Sequence, residues 1–343
     1  VRKLLNVLYV TSPDAYLSKD GENVVVKIEE QEVFRTPVHY LEGIVTFGYK
    51  GASPAMLRMC SDNNVAVSFL SNSGRFLAQL TGPVKGNVLL RRTQYRLADS
   101  TEESTRLSLR FIMGKLANSR NVVRRFISDH CDSERQGPSR DVLWLLAINI
   151  SRLERCQSLD EVRGLEGEGA RAYFSVFDDM ILTNKEHFFM RGRNKRPSLD
   201  NVNAVLSLLY TLLAHEVRAA LETVGLDPFV GFLHRDRPGR PSLALDLMEE
   251  LRPYIADRMV LNLINRGQIT GSDFVQKETG GIILKPEGRK TVLEAWQKRK
   301  ADQITHPFLE EKIPIGLLPY VQAMLLARHL RGDLEDYPPF FWK

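Results

Sequence analysis

Three stretches of this 343-residue chain carry side chains whose types and spacing suit a reaction centre. The first is Gly164-Leu165-Glu166-Gly167-Glu168-Gly169-Ala170-Arg171-Ala172-Tyr173-Phe174, read as the opening turns of a helix. Each glycine weakens a helix by about 1 kcal/mol relative to alanine, so close approach of a backbone or a ligand is expected to offset it. Glu166 is expected near the N-terminal end, where the helix dipole favours an acid. A helix-start glutamate beside packing glycines accounts for the same residues. The second stretch is Gly231-Phe232-Leu233-His234-Arg235-Asp236-Arg237-Pro238-Gly239-Arg240, in which one histidine closes an apolar run and opens a polar loop. A neutral imidazole there can donate a lone pair to a metal, or serve structure alone. His39, His130, His187, His215, His306 and His329 have no comparable neighbourhood and are read as structural.

The third stretch runs from Pro241 to Pro253. Ser242 can cap a helix in which Leu243, Leu247 and Leu251 share a face, with Ala244, Leu245 and Met248 spreading apolar character round the sides. Asp246 and Glu249, three apart, fall together in that buried setting. Two buried carboxylates repel unless a cation or a proton intervenes, and Arg252 is one available partner. Glutamate, histidine and a carboxylate pair supply hard oxygens and one imidazole. That set suits Mg²⁺ or Mn²⁺ better than zinc, and such an ion can polarise a phosphodiester.

These residues need a scaffold. Short strand-like runs fill the first eighty residues, with turns at Pro13-Asp14 and Asp20-Gly21 and one helix opened by Ser53-Pro54. Beyond Thr81-Gly82-Pro83 helical periods take over, at 102–126, 140–155, 159–182, 201–224, 243–265 and 319–330. Gly280-Gly281, flanked by Ile282-Ile283-Leu284, reads as a small hairpin. The expected class is therefore α+β. A β-rich, antiparallel sandwich-like domain (1–82) is followed by a linker (83–100) and a larger α-helical catalytic domain (101–343).

A hydrophobic fraction of 43% is ample for packed cores and argues against a disordered chain. Net charge is +5, with a pI near 9.0, a modest basic excess that suits a nucleic-acid partner or an ordinary basic enzyme. Cys60, Cys131 and Cys156 form no closely spaced pair, so a reducing, cytoplasmic setting without a structural disulfide is expected. No apolar run of the roughly 18 residues needed to cross a bilayer is read, and no signal peptide. Val1 in place of Met suits a non-ATG start codon translated literally.

The ordered set of motifs resembles the CRISPR-associated integrase, the endonuclease of spacer acquisition. The Glu166 helix comes first, then Asn201-Val202-Asn203-Ala204-Val205-Leu206 after Arg196-Pro197-Ser198, then His234, then Ser242 to Glu250. Leu5-Asn6-Val7-Leu8-Tyr9-Val10 and Tyr337-Pro338-Pro339-Phe340 look similar to the subtype I-C branch. The resemblance spans essentially the whole chain. It implies metal ligands at Glu166, His234 and Glu249, with a further functional acid at Asp246. Many relatives carry Asp where Glu249 stands, which leaves open whether Asp246 or Glu249 touches the ion. Tyr173, two turns after Glu166, either lines the site or packs in the core.

The reaction implied is a metal-dependent transesterification. A 3′-hydroxyl of captured DNA attacks a phosphodiester at the edge of a CRISPR repeat, and metal-dependent DNA cleavage accompanies it. The implied partners are DNA, a second copy paired through the β domain, the small second CRISPR-associated protein, and an iron–sulfur exonuclease that trims ends. Arg235, Arg237 and Arg240 are the first candidates for phosphate contact, followed by Arg193, Arg196, Lys285 and Arg289. Two rivals stand beside this reading. One is a structure-specific repair nuclease using the same residues, and the other is a non-catalytic DNA-binding scaffold.

Overall fold

The computed structural model describes residues 7–41, 43–71, 76–80, 82, 88–129, 136–194 and 197–342. The chain divides into two compact units. One comprises Val1–Lys85 with Leu284–Asp302 and Pro314–Leu317; the other comprises Gly86–Ile283, Gln303–Ile313 and Leu318–Lys343. A β-rich N-terminal region and a mostly helical remainder make the α+β class expected from the sequence.

In the first unit, β1 (Val7–Val10), β2 (Tyr16–Asp20), β3 (Asn23–Ile28), β4 (Gln31–Pro37) and β5 (Gly43–Phe47) precede α1 (Pro54–Asp62), β6 (Ala66–Leu70) and β7 (Phe76–Leu80). Strands β2, β3 and β4 form an antiparallel meander. Asp20 pairs with Asn23, so Gly21 and Glu22 make the two-residue turn, and Gly21 takes the positive φ of 56°. The other sheet runs β1-β5-β6-β7 and is mixed. β5 and β6 are parallel because α1 crosses over between them, and β7 returns antiparallel. Ser53 accepts a hydrogen bond from Met56 N at 3.2 Å, capping α1, and Pro54 occupies the first turn, where no N–H is required. Val24, Val26, Ile44, Met56 and Val67 fill the core between these elements.

The second unit contains α2 (Val88–Asp99), α3 (Thr101–Asp129), α4 (Gln136–Leu153), α5 (Leu159–Ser175), α6 (Asn201–Val224), α7 (Ser242–Met248) and α8 (Arg258–Asn265). After α9 (Pro286–Ala301), which groups with the first unit, α10 (Leu318–Leu330) completes it. The glycine-flanked pair Phe274–Gln276 and Ile282–Leu284 forms the expected hairpin.

Several expected elements differ. Much of the proposed linker is α2, held because buried Gln94 donates to the carbonyls of Asp227 and Val230, both at 2.8 Å, and accepts from Asp227 N at 2.9 Å. The helix expected over 159–182 ends at Ser175, where the chain turns into a short 3₁₀ segment, Asp178–Met180. The helix expected over 243–265 is broken into α7, a π-helical turn at Pro253–Asp257, and α8. Pro253 has no N–H to give its preceding turn, and Arg258 N reaches back to Pro253 O. Finally, α6 is long and apolar enough, by length and composition, to cross a membrane. Here it packs against α7 and α10, and twelve of its side chains are buried in the core.

Candidate active site

Helix α5 carries Glu166 in its middle, not at its start. The N-cap is Ser158, whose hydroxyl accepts from Glu161 N, and the first-turn acids are Asp160 and Glu161. The glycines divide. A side chain at Gly169 would meet Leu116 Cδ2 at 2.4 Å, so that glycine permits α5 to press on α3. Nothing lies within 4 Å of a Cβ built at Gly164 or Gly167, so the expected close approach holds at Gly169 and at neither of the others. Packed this way, α5 turns Glu166 toward Lys115 of α3, and the two side chains form an ion pair. One turn earlier, Arg163 donates from Nε and Nη2 to Leu233 O at 3.1 and 2.6 Å. The same helix thus holds an acid and grips the histidine loop.

That loop is organised by Asp246, which is fully buried on α7. One carboxylate oxygen accepts from Phe232 N at 2.6 Å and Leu233 N at 3.0 Å. The other accepts from His234 N at 3.0 Å and meets His234 Nδ1 at 2.6 Å. An ionised carboxylate can only accept, so Nδ1 is the donor in this bond, and in a neutral imidazole Nε2 is the nitrogen left with a lone pair. All the short contacts of Asp246 go to the loop and the ring, which leaves Glu249 as the acid of the pair that does not bind the loop. Gly231 is required by this arrangement, since a Cβ there would sit 2.8 Å from both Asp246 Oδ2 and Ser242.

Asp246 and Glu249 share no hydrogen-bond or ion-pair partner, so each acid meets its own donors. Glu249 follows α7 and is almost wholly buried. Its Oε1 pairs with Arg252 at 2.9 Å and its Oε2 with Lys115 at 2.8 Å. Burial alone would raise the Glu249 pKa, but Arg252, Lys115 and His234 outweigh it and hold the carboxyl well below its usual range. Burial likewise opposes the Lys115 charge, yet Glu249 and Glu166 overcome it and raise the lysine. Lys115 therefore bridges the two glutamates. Among the described residues, no three His, Cys, Asp or Glu side chains close on a common point. The donor chemistry nevertheless fits a hard divalent ion. Two carboxylates already surround a cation, and a nearby imidazole has its outer nitrogen free of the Asp246 bond.

Tyr173 serves both roles foreseen for it. It is buried against Phe174 and Phe177, and with Glu166, Lys115, Arg193, Tyr210, Arg252 and Asp257 it lines a cavity of about 450 Å³. Tyr210 donates to Asp257 at 2.6 Å, and burial pushes the Asp257 carboxyl up to about 6 despite that bond.

A family model described as CRISPR associated protein Cas1 matches residues 8–298. The chain belongs to the Cas1 family. It is 50% identical to "CRISPR-associated endonuclease Cas1 1" of Chlorobaculum tepidum, over the full length of both chains. It is also 37% identical to a "CRISPR-associated exonuclease Cas4/endonuclease Cas1 fusion" of Geobacter sulfurreducens, covering 97% of this chain and 60% of that one. Among solved structures, "Casposase bound to integration product" superposes with a TM-score of 0.85 at 24% identity, covering 98% and 94% of the two chains. A "Cas6-RT-Cas1--Cas2 complex" gives 0.83 at 21% identity, covering 98% of this chain and 36% of that one. The Cas1-family fold is thus present across nearly the whole chain.

The candidate phosphate contacts of this Cas1-family chain separate by burial. Arg235 and Arg237 are exposed beside His234, and Arg240 is half-buried in the same loop. Lys285 is exposed in the other unit. Arg289 is not a surface cation: it is 2% exposed, with its guanidinium 4.7 Å from the Phe47 ring centre. Arg193 is likewise turned inward, with Nη1 on Asn203 Oδ1 at 2.5 Å, Nη2 on Ser207 at 3.2 Å, and its plane over Tyr210. Arg196 lies outside the described residues. The sequence reading missed Lys115, Arg163 and Glu250. Lys115 had a signal, a lysine on the α3 stripe that also presents Phe111, Leu116 and Val122. Arg163 had none, because its partner is a carbonyl 70 residues away.

Proposed function

We propose that this chain is the integrase and endonuclease of CRISPR adaptation. In this reading it joins 3′-hydroxyl ends of captured DNA to a CRISPR repeat by Mg²⁺- or Mn²⁺-dependent transesterification, with Glu166, His234 and Glu249 as ligands. The observation that carries the reading is Asp246. It spends every short contact on the His234 loop and on Nδ1, which fixes the imidazole as a lone-pair donor beside two glutamates that already enclose a cation.

An ion at those three residues would supply Lewis acidity toward the phosphodiester and charge for the leaving oxygen. The chain's own groups do the rest. Asp246 and Arg163 hold the loop, and the Arg252 guanidinium keeps Glu249 ionised in a buried place. Exposed Arg235 and Arg237 hold phosphates near His234. In the exchange, the attacking 3′-oxygen loses its proton and forms a P–O bond as the repeat's P–O3′ bond breaks. The leaving 3′-oxygen then takes up a proton. One phosphodiester replaces another, so no nucleoside triphosphate is consumed.

DNA is the substrate partner in this proposal. A homodimer forms through the β unit, whose strand β4 exposes Val33 and Phe34. The Cas2 of the solved complex and the Cas4 exonuclease of the fusion relative support a second CRISPR-associated protein and an exonuclease as further partners; that this exonuclease holds an iron–sulfur centre is part of the proposal alone. The subtype I-C proposal rests on the resemblance of Leu5-Asn6-Val7-Leu8-Tyr9-Val10 and of the Tyr337-Pro338-Pro339-Phe340 ending, whose Tyr337 hydroxyl and Phe340 N donate to Glu250. A cytoplasmic location accords with the free thiols of Cys60 and Cys156.

The test is strand transfer of labelled 3′-hydroxyl duplex into a supercoiled plasmid bearing a CRISPR leader and repeat. The small partner is present, with Mn²⁺ or EDTA, and His234→Ala runs alongside. Joined label that requires both metal and His234 is expected. Metal-dependent nicking without joining would assign the same site to a repair nuclease.

A further inference from the structure

We propose that Lys115 is a built-in placeholder for the divalent ion, and that ion binding evicts it from between Glu166 and Glu249. The inference rests on the metal-site reading above and adds a step to it. The three residues come from separate elements: Lys115 from α3, Glu166 from α5 and Glu249 from the turn after α7. Without an intervening cation, the two carboxylates would push α5 and that turn apart. The Lys115 ammonium donates a hydrogen bond to Glu166 and forms an ion pair with Glu249, at 2.8 Å from Oε2. Its side chain is only 11% exposed, so this is a built position and not a surface pairing.

An ammonium and a divalent ion cannot occupy this place together. Mg²⁺ demands its oxygens at about 2.0–2.1 Å in near-octahedral order, closer than the contacts an ammonium keeps. The lysine also sits against one oxygen of each carboxylate that the ion would use, and the two like charges repel. Lys115 has somewhere to go. It forms part of the wall of the 450 Å³ cavity that also presents Asp257, and its four-carbon stem can swing the ammonium into that space. Arg252 stays on the other oxygen of Glu249 and need not move. A cation therefore stands between the two glutamates with or without metal. That explains why a buried carboxylate such as Glu249 is stable in the metal-free protein.

Two measurements on the full chain test this. Isothermal titration with Mn²⁺ compares wild type, Lys115→Met, Glu166→Gln and His234→Ala. Reductive methylation read by peptide mass spectrometry then reports Lys115 in the wild-type protein with and without Mn²⁺. Eviction predicts that Lys115→Met binds Mn²⁺ about tenfold tighter, because a competitor worth at least one close charge pair has gone. It also predicts a lower unfolding temperature for the metal-free variant and a larger rise on adding Mn²⁺. In the wild type, Lys115 should be methylated slowly alone and faster with Mn²⁺. Unchanged or weaker binding by a folded Lys115→Met, or Lys115 equally protected with Mn²⁺, would overturn the proposal. The labelling needs no variant, so it decides the matter even where Lys115→Met does not fold. If Glu166→Gln and His234→Ala bind Mn²⁺ like wild type, the metal-site reading fails and the eviction proposal with it. If they lose binding while Lys115→Met changes nothing, only the eviction fails.

Discussion

Replacing Asp246 with asparagine changes one atom and should disable the histidine by reversing its tautomer. The wild-type carboxylate faces four N–H groups, those of Phe232, Leu233 and His234 and the His234 ring. An asparagine has one acceptor oxygen and one donor NH₂. Its best placement keeps the oxygen on Phe232 and Leu233 and turns the NH₂ toward Nδ1. The ring can accept that bond only by moving its proton to Nε2, where the lone pair is needed. The His234 backbone N–H is then opposed by a donor and left unsatisfied, costing about 1–3 kcal/mol. For a chain of this size that is a drop of roughly 1–4 °C in unfolding temperature. Loss of the orienting partner should weaken Mn²⁺ binding by about 10- to 100-fold. Strand transfer at limiting metal should fall by at least as much and recover in part at high Mn²⁺. The ¹⁵N shifts of the His234 imidazole report the tautomer directly, with Nδ1–H expected in wild type and Nε2–H in Asp246→Asn. A variant that keeps Nδ1–H and wild-type Mn²⁺ affinity would refute the positioning role.

Arg235→Ala and Arg237→Ala should each weaken DNA binding and reduce the salt slope of log K by about 1, whereas Arg289→Ala should lower thermal stability and leave that slope unchanged. Filter binding across a salt series, beside thermal unfolding, separates the two cases. Gly231→Ala should cost about 1–3 kcal/mol, since its Cβ enters the space of Asp246 and Ser242 from 2.8 Å, and denaturant melts measure it. Glu250 is fully buried, accepts from Gln322, Tyr337 and Phe340 N, and is pushed up to about 7 by burial. A folded pKa raised above the unfolded value gives stability that is whole below about pH 4.5 and is lost as pH rises through 7. The wild-type stability relative to Glu250→Gln should therefore fall by about 3 kcal/mol between pH 4.5 and 7.5. Taking the difference between the two proteins cancels the opposite trend of buried His215, whose pKa burial lowers to about 4. A flat difference would show that Glu250 ionises freely in the fold.

What was legible in the sequence follows from the range of the interaction that fixes each feature. The hairpin at Gly21, the Ser53 cap and the span of α6 depend on neighbours in the chain, and pattern alone marks them. The break at Pro253 was masked because leucines on both sides keep one apolar period, while the backbone bond that proline removes has no sequence period. Glu166, His234, Asp246 and Glu249 could be named as chemical residues from type and spacing. Their division of labour could not. Asp246 and Glu249 sit three apart and differ only in which donors reach them. Three backbone N–H groups and an imidazole reach the first, and an ammonium and a guanidinium reach the second. The nearest of the loop donors is 12 residues before Asp246, and Lys115 lies 51 residues before Glu166. The same logic inverts Arg193 and Arg289, cations that read as surface charge until Tyr210 and Phe47 are found beneath them. Charge counts therefore overstate the exposed cationic surface, and the donors that pack around each acid decide which carboxylate holds the loop and which pairs with cations.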